Sequence, residues 1–138
     1  MRNGSAMISL IVMRGSSEAN GSWKTICRSR RSGRIVETAP VEDLFRRASH
    51  PYTQALISAI PLPDPHKERA RQRVLVTGEV PSPVNPPSGC RFRTRCPKFA
   101  HQLSSSEQEK CVNELPPLVD RGAGHPVACH YAEALQLV

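Results

Sequence analysis

The sequence predicts a small α+β fold with much irregular chain: two short helices, a few short strands and a proline-rich extension stapled by cysteines. Three observations carry this. Hydrophobic residues are 38% of the 138 and aromatics 4%, too little apolar area for a large core. Thirteen prolines cut the chain into short pieces. Four of the five cysteines, Cys90, Cys96, Cys111 and Cys129, lie in the C-terminal half, and a domain poor in core often depends on a covalent or metal staple.

The elements follow in order. Residues 1–31 show no sustained helical or strand period and are expected to be poorly ordered, with at most a short strand in the apolar run Met7–Met13. That run is far shorter than the roughly 20 residues a membrane-crossing helix needs, and Arg14 ends it too early for a signal peptide. Lys24-Thr25 matches the end of a phosphate-binding loop, but Glu18 and Trp23 occupy its two glycine positions, so the loop is rejected. Arg34–Glu37 reads as the end of a strand. Pro40 suits the first turn of a helix, with Glu42 and Asp43 favouring its positive end and Leu44 and Phe45 facing inward. Pro51 stops that helix near Ser49 and opens a second one. There Tyr52, Ala55, Leu56, Ala59 and Ile60 form an amphipathic stripe, with Gln54 and Ser58 expected on the outer face.

Residues 61–71 read as a charged connector and Val74–Val76 as a strand. Gly78–Gly89 is a proline-rich loop of extended, polyproline-like character. Ser104-x-x-Glu107 and Ser106-x-x-Glu109 both fit a capping box, so a short helix should carry or precede Cys111. Pro116 and Pro117 end it, and Gly122 and Gly124 form a turn before Cys129.

The net charge is +7, gathered in patches at Arg28–Arg34, Lys67–Arg73 and Arg91–Arg95. A basic balance favours acidic partners, but a solvated surface explains these short patches equally well. A zinc-stapled nucleic-acid-binding module is the alternative reading. The low aromatic content argues against base stacking, and hence against nucleic acid as a partner.

The cysteine spacing is C-x5-C-x14-C-x17-C. Thiolates suit zinc or an iron–sulfur cluster, and each of these cysteines lies beside a glycine, a proline or a turn that lets its sulfur swing to a common point. Disulfides or unrelated buried thiols remain open on spacing alone. Arg91, Arg93 and Arg95 are expected to lower the thiol pKa values. His125 and His130 rank below the cysteines as ligands, and Cys27 is expected to be free. No catalytic or nucleotide-binding residue is found.

Several segments carry a resemblance over roughly the last three quarters of the chain. They are Gly33–Glu37, Val41–Phe45, His50-Pro51-Tyr52-Thr53-Gln54-Ala55-Leu56, Gly78–Pro83, Asn85–Phe92, Arg95-Cys96-Pro97, Pro116-Pro117-Leu118 and Val127–His130. The chain resembles the C-terminal end of ATP-binding subunits of bacterial oligopeptide and dipeptide ABC transporters. The resemblance implies three parts: a non-family segment 1–31, a remnant of the ATPase domain end over 32–62, and the family's C-terminal extension over 63–138. It implies that Cys90, Cys96, Cys111 and Cys129 ligate a [4Fe–4S] cluster, with zinc as the alternative. Residues around Phe99–Lys110 read as an insertion relative to the family.

In that family ATP hydrolysis drives peptide uptake. The phosphate-binding loop, signature motif and acidic metal-binding strand are missing from this sequence, which leads us to expect a truncated chain that does not hydrolyse ATP on its own. The resemblance further implies permease subunits and a second ATP-binding subunit as partners. The expected place is the cytoplasm, peripheral to the inner face of the cell membrane.

Overall fold

A computed structural model describes residues 10–13, 24–28, 34–70, 73–79, 81–82, 84–120 and 124–136. One antiparallel sheet runs through it in the order β1-β2-β3-β5-β4. Its strands are β1 Leu10–Met13, β2 Lys24–Arg28, β3 Ile35–Pro40, β4 Val119–Asp120 and β5 Pro126–Val127. The apolar run therefore does form a strand, and Lys24–Arg28, where the sequence offered no period, forms another. The turn expected at Gly122 lies outside the described residues, while Gly124 takes a positive φ of 64°.

β3 leads into α1, Val41–Arg47, with Pro40 as the cap residue just outside the helix rather than within its first turn. Asp43 and Arg47 pair at 3.1 Å across one turn. Leu44 is fully buried with Ala39, Ala48 and Ile57, and Phe45 packs against this cluster. The other buried apolar residues among the described ones are Ala55, Cys111 and Val127, so the core is as small as the composition implies.

α2, Pro51–Ser58, starts and ends where the prolines dictate, but its buried face is rotated from the expected one. Thr53, Gln54, Ala55, Ile57 and Ser58 are buried, whereas Ala59 and Ile60 are exposed. Polar partners decide this. Gln54 donates its amide to the Ala48 carbonyl at 2.9 Å and the Glu133 carbonyl at 2.7 Å. Ser58 donates to the Ala55 carbonyl and accepts the Val74 N–H at 3.1 Å. A buried polar group that is paired costs little, so the apolar stripe alone does not fix the face.

The charged connector contains a short helix, α3 Pro65–Ala70. Val74–Val76 is not a strand: among the described residues no strand pairs with it, and Leu75 is 73% exposed. A single 3₁₀ turn, Arg93–Arg95, precedes α4 Pro97–His101 and α5 Ser105–Asn113. α5 has the predicted capping box at Ser104, where the Glu107 carboxylate accepts the Ser104 N–H at 2.9 Å and hydroxyl at 2.7 Å. The residues read as an insertion thus fold as two short helices. The C-terminal segment returns to the body, with Leu135 N–H bonded to the Ala48 carbonyl at 3.0 Å.

Candidate metal centre

Four separate pieces of chain bring the cysteines together. Cys90 follows Gly89, whose φ is 56° and whose missing side chain is essential. A Cβ there would stand 2.5 Å from the carbonyl oxygens of Cys111 and Val112. This close approach lets the Cys90 N–H bond the Cys111 carbonyl at 2.8 Å. Cys96 caps α4, Cys111 sits in the last turns of α5, and Cys129 follows β5. All four line one small pocket open to solvent, together with His130 and Phe99. None of the four is in a disulfide. Cys27 lies in β2, in register with Glu37, on an element apart from the four.

Burial governs the electrostatics. It raises the pKa of Cys90 and Cys96, and it pushes Cys111 up to about 11 and Cys129 up to about 12. The expected lowering by the three arginines is therefore overturned. Only Arg93 acts on Cys90 and Cys111, and desolvation outweighs it. Backbone hydrogen bonds from Phe92 and Arg93 to Cys90, from Phe99 and Lys98 to Cys96 and from Tyr131 to Cys129 favour the thiolate without overcoming burial. Mutual repulsion adds to the upward shift, with the other three cysteines acting on Cys129.

The donor set suits a thiolate-bound group, since four sulfurs line one space and those of Cys90, Cys96 and Cys129 accept backbone hydrogen bonds. A single zinc ion needs its ligands packed around it at about 2.3 Å. Among the described residues, no group of three or more His, Cys, Asp or Glu is arranged to hold one metal ion.

The two histidines separate. His130 lines the cavity and contacts the Glu114 carbonyl at 3.1 Å. His125 does not line it, because its Nε2 meets Glu37 Oε1 at 2.6 Å in the interior.

Glu37 is a residue the sequence reading passed over. It is fully buried in β3, and it also accepts the N–H of Ser49 at 2.7 Å and of His50 at 3.2 Å. His50, itself buried, accepts the Tyr52 N–H on Nδ1 at 3.0 Å and so caps α2. Burial lowers its pKa to about 4, opposed by a backbone hydrogen bond to Ala128. The signal for both was weak: an acidic residue inside an apolar strand, and a histidine directly before a helix-opening proline.

Comparison with known proteins gives a consistent picture. Residues 36–102 match the family model described as oligopeptide/dipeptide transporter, C-terminal region. The chain is 53% identical over 98 residues to a probable peptide ABC transporter ATP-binding protein, y4tS, of Sinorhizobium fredii, covering 71% of this chain and 25% of that protein. It is 42% identical over 97 residues to the oligopeptide transport ATP-binding protein OppF of Haemophilus influenzae, covering 70% of this chain and 27% of that protein. The chain spans about a quarter of the length of the curated relatives it matches. Among the described residues no helix is long and apolar enough to cross a membrane. It is through residues 36–102 that the chain matches the oligopeptide/dipeptide transporter C-terminal region family.

Proposed function

We propose that this chain serves peptide transport as the C-terminal region of an ATP-binding subunit, and that Cys90, Cys96, Cys111 and Cys129 hold a [4Fe–4S] cluster that staples the extension. The observation that carries the second part is the shared cavity: cysteines from four separate segments line one space and none is in a disulfide. A cluster takes its cysteines on different irons, so it tolerates a wider spread of sulfurs than a single zinc ion does. When bound, the group supplies metal–thiolate bonds that replace the apolar core the extension lacks.

The chain's own residues do the rest. Gly89 allows the Cys90 loop to reach α5, and the backbone N–H groups near the Cys90, Cys96 and Cys129 sulfurs stabilise thiolate character. Lys98, which lines the cavity and pairs with Glu133 at 2.7 Å, places positive charge beside an anionic site. The ATP-hydrolysing motifs are not in this sequence, so ATP turnover is assigned to the rest of such a subunit. Permease subunits and a second ATP-binding subunit are the expected partners, at the cytoplasmic face of the membrane.

Anaerobic reconstitution followed by iron, sulfide and zinc analysis tests the site. About four irons and four sulfides per chain are expected for such a cluster, and Cys111→Ser should abolish stable loading. A chain that stays colourless and free of iron would sink the cluster reading. Stoichiometric zinc in its place would move the assignment to zinc.

A further inference from the structure

The two halves of the cysteine site are far apart in sequence, and one buried side chain touches both. His50 accepts the Tyr52 N–H on Nδ1, so its proton sits on Nε2. That leaves a donor for the backbone of Ala128, the residue immediately before Cys129. The Ala128 N–H is already held by the Val36 carbonyl at 2.8 Å. Ala128 is thus tied to β3 at its N–H and lines one pocket with His50 and Phe92. The same ring packs on Phe92, centroids 6.0 Å apart, and Phe92 lies between Cys90 and Cys96. Tyr52 closes on the other side of Phe92 at 5.4 Å, edge to face. Glu37 fixes the His50 backbone through its N–H.

We propose that His50 is a positioning residue for the four-cysteine site, setting Cys129 through Ala128 and the Cys90–Cys96 loop through Phe92. Its purpose rests on the metal-site reading, but its geometry does not.

The two ring nitrogens can be replaced one at a time. Asparagine places an acceptor where Nδ1 stands, so His50→Asn keeps the α2 cap and loses the link to Ala128. Glutamine places a donor where Nε2 stands, so His50→Gln keeps the link and loses the cap. The measurement is the alkylation rate of each cysteine in the full metal-free chain, read by peptide mass spectrometry, with Cys111, on α5, as internal control.

His50→Asn should label Cys129 roughly five- to tenfold faster, as expected for one lost buried hydrogen bond, with Cys111 unchanged. His50→Gln should stay near the parent at Cys129, while Cys90 and Cys96 should quicken in both variants, which lack the ring against Phe92. The proposal is overturned if Cys129 and Cys111 accelerate together, if neither Cys129 nor Cys96 changes in His50→Asn, or if His50→Gln labels Cys129 faster than His50→Asn does. Global unfolding of His50→Asn, which retains a strong cap, also overturns it, because His50 would then serve the whole fold. After reconstitution His50→Asn should lose iron faster than the parent. A parent chain that takes up no iron removes the cluster reading, while the alkylation result still decides the positioning.

Discussion

Residues 35–60 and residues 89–131 are held together by different means. In the first stretch Leu44, Ala39, Ala48 and Ile57 are sealed around a small apolar centre, and a buried carboxylate ties the corner between α1 and α2. In the second, Cys111 and Val127 are the buried apolar residues, and the chain is organised by close backbone approaches, a helix cap and a cavity lined by thiols. The first region should fold on what it buries. The second has its polar geometry set but little apolar area to hold it, which is the situation in which a bound group contributes most.

Four changes test this division, from the largest effect to the smallest. Glu37→Ala leaves His125 and two backbone N–H groups without their buried partner and should cost about 3–5 kcal/mol. Denaturant unfolding should show the loss with or without metal. A loss confined to the loaded protein would break the division.

Acid provides the second test. His50 is neutral in the fold, its pKa pushed down to about 4 from 6.5 by burial. As pH falls, the unfolded chain takes up this proton first. Stability in the metal-free protein is therefore full above about pH 6.5, falls as pH drops toward 4, and this contribution then levels off. The gap corresponds to about 3 kcal/mol, read from unfolding midpoints across that window.

Gly89→Ala acts on the other region. The positive φ and the two carbonyl oxygens at 2.5 Å leave no room for a methyl group, so the Cys90 loop must move. Strain of about 1–3 kcal/mol is expected, and iron retention should fall more than the unfolding midpoint. Equal losses in both would show that the two regions are one cooperative unit. Ser104→Ala, which removes the α5 cap, should cost about 1 kcal/mol and loosen Cys111 as seen in its alkylation rate.

Much of the local structure was legible. Pro40, Pro51, Pro116 and Pro117 bound the helices because proline restricts the backbone wherever it stands. The capping box at Ser104 named its helix because both partners lie within one turn. The other expectations failed where the answer depended on distant chain. The face of α2 turned toward Ala48, Glu133 and Val74, whose carbonyls and N–H groups pair with Gln54 and Ser58. Val74–Val76 had strand-like residues, but no strand pairs with it among the described residues. The thiol pKa values rose because burial, which no spacing reveals, outweighed the nearby arginines.

The inventory of this protein was readable along the chain: a core too small for its length, the helix limits, the match over 36–102, and the lack of a phosphate-binding loop among these 138 residues. Those properties are carried by neighbouring residues, or by composition. Folding was needed to bring the four cysteines to one pocket, to turn His125 away from them toward Glu37, and to set His50 against Phe92 and Ala128. Each of these is a meeting of segments separated along the chain, and whether a polar group finds its partner there is settled by packing rather than by spacing.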